Sequence, residues 1–446
     1  MYKHIKLWLL LAVFLIFPLA GHAQPVSSVL STAEPILHVG ILTNQSSVEL
    51  SASSKFSIIN PDSAKVLATF EAKDTVTITT GKNGFSINNK PINAGKLELV
   101  MQKQSYNFSE QYLAVNKRRY RGGLTLQRTA DKSGITVVNT LPIEQYLYGV
   151  IKNEISPEWP MEAVKAQAVA ARTYALTNNT KHQAEGFDIC ATTDCQVYRG
   201  RDSEAPKALE AVDATRGLVL TYKGQLINAY FHSSSGGYTE NSENVWSASQ
   251  PYLRGVVDYD QNSPYYKWEK KLSLAELNQV IKENGYNIGS LQAIEVSPLT
   301  SPPVTSTDRG ISGRVKTVLL KGTTGNIQLS GTKVRTMLNL KSTLFDIAIE
   351  KGTTEFVMPP LLSADRKKLS PDHSLLMNFD KITISPAPTI EPMDFVVITG
   401  YGWGHGLGLS QWGAKAMAEM GHPGNTEYFK DILRHYYKGV EIKKAY

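Results

Sequence analysis

The chain predicts an α+β fold, with a β-rich N-terminal module followed by a mixed domain that carries a β-containing insertion. Three observations lead there. Short alternating segments separated by turn residues fill the early part of the chain. The first strong helical pattern starts only after Ser156. Strands and helices then mix without the regular βαβ alternation of a parallel sheet. At 446 residues, 42% hydrophobic and 20% charged, the chain is long enough for two domains or one elaborated domain with a sizeable core.

The first element is a leader. Lys3 and Lys6 precede an apolar run from Leu7 to Ala20, and Gly21 and Ala23 follow, which is the order of a secretory signal peptide over residues 1–23. The run is shorter than the roughly 20 residues of a spanning helix. A mature chain from Gln24, extracytoplasmic and with no membrane span after cleavage, is therefore expected; an uncleaved anchor is the alternative. Loss of Lys3 and Lys6 takes the formal charge from +7 to +5. Such a balance suits anionic polymers. The basic residues form no stripe interleaved with aromatics, so nucleic acid is not expected as a partner.

Residues 24–114 form the expected β-rich module. Strand-like runs at Leu37, Lys55 and Thr75 are separated by turns such as Asn60-Pro61-Asp62 and Lys82-Asn83-Gly84. Residues 115–446 form the second unit. Within it a helix is expected over Met161 to Leu176, with Ser156 as N-cap and Val164, Ala168, Ala171 and Ala175 as a narrow packing stripe. A helix from about Glu204 to Ala214 and a hairpin around Lys223-Gly224 follow. The insertion, about 267–397, holds a helix near Leu274–Asn284, strands near Arg314 and Asn326, and a loop from Pro359 to His373. Helices over Ser410–Met420 and Thr426–Tyr437 close the chain.

Three separated segments concentrate chemistry. Asn153-Glu154 lies ahead of a helix beside Trp159. A carboxyl in partly apolar surroundings is held protonated and suits a general acid, while a helix dipole opposes this. Phe231-His232-Ser233-Ser234-Ser235-Gly236-Gly237, with Glu240, Glu243 and Trp246, joins sugar-binding polar groups to aromatic faces. A Ser–His nucleophile there lacks the Gly-x-Ser-x-Gly elbow. Tyr401 to Gly413 carries five glycines in thirteen residues with Trp403, His405, Gln411 and Trp412, and contains no phosphate-loop pattern. Each segment alone also has a purely structural reading. The two cysteines, Cys190 and Cys195, leave a disulfide, free thiols and a metal site open, the last needing two more ligands.

Four phrases make the chain resemble the SpoIID/LytB (amidase-enhancer-like) family: YLYGVIKNEISPEWPMEAVKAQAVAARTYAL, CATTDCQVYRG, TRGLVLTYKGQLINAYFHSSSGGYTENSENVW with PYLRGV, and GYGWGHGLGLSQWGAKAMAEMG. SGRVKTVLL and GTKVRTMLNLKST also fit, so the likeness covers most of residues 115–440. The resemblance implies a lytic transglycosylase that cleaves MurNAc–GlcNAc strands stripped of stem peptides and leaves 1,6-anhydro ends. It places the catalytic Glu on Glu154. It also implies substrate or cleft positions at Gln196, Tyr198, His232, Ser233, Ser234, Ser235, Gly236, Gly237, Glu240, His405 and Gln411, with Arg172 orienting a carboxylate or serving as a buried structural arginine.

Ile155, Leu407 and Leu409 replace the family's usual Met, Val and Met, which are volume-tolerant swaps. Asp194 stands where many relatives place a histidine beside the cysteine, so neither a metal nor any other cofactor is expected. Peptidoglycan is the implied partner, with a cell-wall amidase as a second one. The alternative function, from a different class, is a non-catalytic glycan binder that stimulates such an amidase. An ordinary glycosidase would need a second carboxyl, from Glu158 or Glu240.

Overall fold

A computed structural model describes residues 33–102, 111–246, 248–351, 394–421 and 424–446. The expected leader and the expected Pro359–His373 loop lie outside them. The fold is α+β, as expected. Among the described residues the largest sheet has seven strands, in the order Ile189–Cys190, Ile36–Gln45, Ile135–Pro142, Gly123–Arg128, Lys96–Met101, Phe56–Asn60 and Lys65–Phe70. Period-two alternation gives it two unlike faces. Leu37, Val39, Leu97, Leu99, Leu124 and Leu126 point into the core. The residues between them on the adjoining strands, such as Thr125 opposite Val138 and Gln127 opposite Thr136, form the other face.

A six-stranded sheet, which includes Ser47–Ala52, Val76–Gly81 and Leu113–Val115, packs on the same core through Val48, Leu50, Val76 and Ile78. The boundary expected at residue 114 therefore falls inside a strand. Strands from both sides of it share the large sheet, and Ile36–Gln45 pairs antiparallel with Ile135–Pro142. The N-terminal strands are thus built into the same core as the helices that follow.

The helices α1 (Ile143–Tyr148), α2 (Ile151–Glu154), α3 (Met161–Thr177) and α4 (Pro206–Ala214) follow the sheet. Helix α3 starts after Pro160, with no side-chain cap, so Ser156 is not its N-cap. Nor does it present a narrow stripe, because Ala163 through Ala175 are buried almost all round. Alanine-rich turns let neighbours approach from every side: α1, α4, the strand Leu218–Tyr222 and the helices Gln411–Met420 and Phe429–Tyr436.

The insertion has its own core around Trp268, Leu277, Ile281, Phe345, Val396 and Ile398. Its helix, Leu274–Glu283, begins with a capping box: Glu276 N donates to Ser273 Oγ at 3.1 Å and Ser273 N donates to Glu276 Oε2 at 2.7 Å. Its last strand, Phe395–Tyr401, pairs with Lys267–Ser273, so the insertion closes at Tyr401 and delivers the chain directly into the glycine-rich segment. Among the described residues no helix is long and apolar enough to cross a membrane.

Candidate active site

Glu154 is the last residue of α2, one turn long, and not the first of α3. A one-turn helix carries little dipole, so burial decides the carboxyl's behaviour. Ile151 and Ile155 are buried on either side of it. Asn153 fixes the turn by donating from Nδ2 to Gly149 O at 2.7 Å and to Ser203 Oγ at 3.1 Å. Glu154 is left to line a cleft of about 500 Å³.

The opposite edge of that carboxyl is set by an extended segment that alternates in and out. Gln196 and Tyr198 are buried. Tyr146 OH donates to Gln196 Oε1 at 3.1 Å, Gln196 Nε2 donates to Ala171 O at 3.2 Å, and Tyr198 OH donates to Asn139 Oδ1 at 2.7 Å. Val197, between these two anchors, aims its N–H at Glu154 Oε1, 2.9 Å away. Burial raises the Glu154 pKa above the ordinary carboxyl value, and this backbone hydrogen bond offsets part of the rise. No ion pair to Glu154 exists among the described residues.

The cleft is aromatic on one side. Tyr174, Tyr230, Phe231, Trp246 and His405 line it. Trp246 and Tyr230 meet edge to face at 4.4 Å, and the Trp246 and His405 rings lie 4.9 Å apart. Trp246 keeps 44% of its surface exposed, an open ring face of the kind a pyranose covers. His405 is no proton donor near neutral pH, because burial, aided by the Arg314 charge, pushes its pKa down to about 3. Its Nδ1 accepts from Leu407 N at 3.0 Å. On the polar side stand Asn178, Lys181, Asp194 and Cys195. Lys181 and His182 both pair with Asp194, at 2.9 and 3.2 Å.

Of the residues expected from sequence, Glu154 and His405 line the cleft, and the others stand behind it. Arg172 does not orient Glu154. It is wholly buried and forks onto Glu144 through Nε (2.9 Å) and Nη2 (2.7 Å). Two of the three hydroxyls of the serine-rich loop are used inside the protein: Ser234 Oγ donates to Asp260, and Ser235 Oγ donates to Asp258 Oδ2 at 2.5 Å. Gly236 N and Gly237 N both donate to Asp260 at 2.8 Å. Asp258 is pushed up to about 6 by burial and by Asp260 beside it. Ser233 is half-buried, and its carbonyl accepts Trp412 N at 3.1 Å.

His232 is buried behind His405, and its Nδ1 donates to Leu407 O at 3.1 Å. Glu240, also buried, accepts from Ile311 N, Ser312 N and Ser312 Oγ and staples the insertion to the loop. Gln411 is buried against Gln167. In the glycine-rich segment a Cβ at Gly404 would come within 2.7 Å of His232 Cβ, and one at Gly406 within 2.2 Å of Arg314 Nε. Those two glycines serve close packing inside the protein, not approach to a ligand. Sequence reasoning missed Tyr174, Asn178, Lys181 and Tyr230 as cleft residues. Each comes from an element whose role shows only once α3 and the hairpin are docked.

One group of side chains beside the cleft could hold a metal ion. The fold brings His182 and Asp194 to the two free cysteines, and one ligand atom from each of the four lies within 4.8 Å of all the others. Two thiols, an imidazole and a carboxylate suit tetrahedral zinc. Glu185 holds the other nitrogen of His182 at 2.6 Å, the outer-shell contact that orients a metal-binding histidine. Asp194 joins the set from within the cysteine loop and His182 from the segment before it. Zinc titration is expected to show one tight equivalent per chain, lost in Cys195→Ser; no zinc uptake by the reduced protein would reject the site.

With this geometry in view, comparison with known proteins gives a consistent result. Residues 131–222 match the SpoIID family, described as stage II sporulation protein, and residues 248–359 match a domain of unknown function. The chain is 33% identical over 372 residues to an uncharacterized protein of Brachyspira hyodysenteriae, covering 83% of this chain and 82% of that one. It is 32% identical over 383 residues to the amidase enhancer of Bacillus subtilis, covering 79% of this chain but 49% of that protein. It is 30% identical over 338 residues to stage II sporulation protein D of Bacillus subtilis, covering 72% and 79%. The chain belongs to the SpoIID/LytB family.

Proposed function

We propose that the protein acts on peptidoglycan outside the cytoplasm as a lytic transglycosylase, with Glu154 as its single acid and base. One observation carries the reading: a carboxyl whose burial favours its protonated form, held by one backbone N–H, in an aromatic-walled cleft. The other carboxylate lining that cleft, Asp194, is tied to Lys181 and His182. The candidates for a second acid of an ordinary glycosidase are elsewhere, since Glu158 is exposed and paired with Lys207 and Glu240 is buried.

One carboxyl suffices for the reaction. Protonated Glu154 gives its proton to the glycosidic oxygen as the bond from C1 of MurNAc to that oxygen breaks. The carboxylate so formed takes the proton of the C6 hydroxyl, whose oxygen bonds to C1 and closes the 1,6-anhydro ring. Glu154 is protonated again and no water is consumed. Trp246 and Tyr230 hold sugar rings by their faces, and neutral His405 contributes a wall without competing for the proton. Zinc, where bound, would hold the Cys190–Cys195 loop that presents Val197 to Glu154.

The test is to digest purified glycan, with and without stem peptides, and weigh the products. Ends lighter by one water than hydrolysis products support the reading; hydrated ends reject it. Absence of cleavage together with glycan binding supports the second reading, a stimulator of an amidase, which the name of the Bacillus subtilis amidase enhancer favours. Trp246→Ala is expected to raise KM up to about tenfold, the loss of one ring-face contact, with kcat little changed. An unchanged KM on long strands would remove Trp246 from the binding surface.

A further inference from the structure

Away from the Glu154 cleft, the polar face of the large sheet forms a groove of its own. A cavity of about 900 Å³ has Gln127 and Thr136 among its lining residues, and an adjoining one of about 310 Å³ shares Lys96, Gln127 and Gly186 with it. Four cations line the larger cavity: Lys82, Lys96, Arg128 and Lys132. Its one carboxylate, Glu185, is held by His182. Lys82, Lys96 and Lys132 are exposed and have no ion-pair partner among the described residues. Arg128 donates to Lys132 O through Nη2, while its Nε has no acceptor among the described residues.

No aromatic ring lines the larger cavity, so it is not built to stack sugars. Its chemistry is cations, amides and hydroxyls. The smaller cavity adds Asp62 and His38, and His38 is engaged with Asp188. The wall is the loop that also serves the cleft. Lys181 and Asp194 line the cleft, while Ala184, Glu185 and Gly186 line the groove. Gly186, at φ +86°, lets the loop lie close over the sheet, because a Cβ there would meet Gln127 Nε2 at 2.3 Å.

Removal of a stem peptide by an amidase leaves a free lactyl carboxylate on each muramic residue. A stripped strand therefore carries a carboxylate directly on each muramic residue at a regular spacing, whereas an unstripped one carries an amide at that position and its carboxylates farther out along the peptide. We propose that the groove binds lactyl carboxylates of a stripped strand at a distance from the bond being cut, and so selects strands an amidase has already processed. The proposal rests on the peptidoglycan reading and identifies how this substrate form is chosen.

The test measures binding of long stripped glycan, the same glycan with its carboxylates amidated by carbodiimide and ammonia, and peptide-bearing sacculi. The protein carries Glu154→Gln to prevent cleavage. It is compared with the same protein bearing Lys82→Gln, Lys96→Gln and Lys132→Asn; Asn is chosen because Lys132 sits at φ +62°, where Asn is tolerated. The groove variant is expected to bind stripped glycan about tenfold or more weakly, and added salt should erase the difference. Amidated glycan should bind both proteins equally and weakly. With Glu154 restored, the groove variant should cleave a fragment of four sugars as well as wild type. Equal affinity of both proteins for stripped glycan, or tight binding of amidated glycan that still depends on the lysines, overturns the proposal. If phosphate-bearing wall polymer left on the sacculi accounts for the binding, stripping it with acid abolishes the difference, which also overturns it. These readouts are of binding alone, so failure of Glu154 to cleave would not be confused with failure of the groove.

Discussion

Glu154→Gln is expected to suppress formation of 1,6-anhydro ends, with a fall in kcat of about 10²–10⁴-fold, the range that a positioned acid and base contributes. KM stays close to wild type, because Gln keeps the shape of the side chain and its Oε1 still accepts Val197 N–H. In wild type the rate should fall as pH rises through the raised Glu154 pKa, since the first step needs the proton on. The stability contribution of this group follows the same direction with pH. A carboxyl whose pKa is higher folded than unfolded favours the folded state most below the unfolded value, about 4.3, and that contribution is lost as pH rises to the folded value. Gln carries no charge to desolvate, so the variant melts at or above the wild-type temperature at neutral pH, and the gap closes on acidification. A variant that loses activity by unfolding would show a lower Tm instead. Anhydro products from the Gln variant above about a tenth of the wild-type rate, against the loss expected of a sole acid, would end the case for Glu154.

Much of the fold was legible because its signals are local. The strands around Leu37, Lys55 and Thr75 alternate with period two, and the insertion helix announces itself by Ser273 and Glu276. The boundary at residue 114 was illegible because sheet membership is decided by pairing between Ile36–Gln45 and Ile135–Pro142, far apart in sequence. In the candidate site, Glu154 was legible through family resemblance, not through its surroundings. The serine-rich loop read as a sugar binder because hydroxyls and glycines look alike whether they face a ligand or a carboxylate; Asp258 and Asp260, which they in fact serve, lie more than twenty residues onward. A metal at the cysteines stayed one of three open readings for a similar reason. Its histidine and aspartate, His182 and Asp194, follow no spacing motif, and the loop must fold over the sheet to collect them.

Arg172→Ala is expected to destabilise the protein by about 3–5 kcal/mol, as removal of one partner from a buried pair does elsewhere. Arg172 and Glu144 are both fully buried, so neither charge has water to fall back on. The guanidinium also donates to Leu218 O and Val212 O, and Glu144 accepts from Gly217 N at 3.0 Å and from Tyr446 OH at 2.5 Å. One ion pair therefore joins α1, α3, the end of α4, the strand Leu218–Tyr222 and the C-terminal tyrosine. Arg172→Lys does not rescue it, because an ammonium cannot fork onto both carboxylate oxygens and still reach the two carbonyls. Glu144→Gln leaves the arginine unpaired and costs a similar amount, while the double variant Arg172→Met/Glu144→Gln recovers part of the loss by leaving no buried charge. Denaturant unfolding of the four proteins measures this directly. The same variants tell an architectural arginine from a substrate-binding one: Arg172→Met/Glu144→Gln, assayed below its melting temperature, should keep the wild-type KM for glycan. A selective rise in KM with unchanged stability would return Arg172 to the substrate.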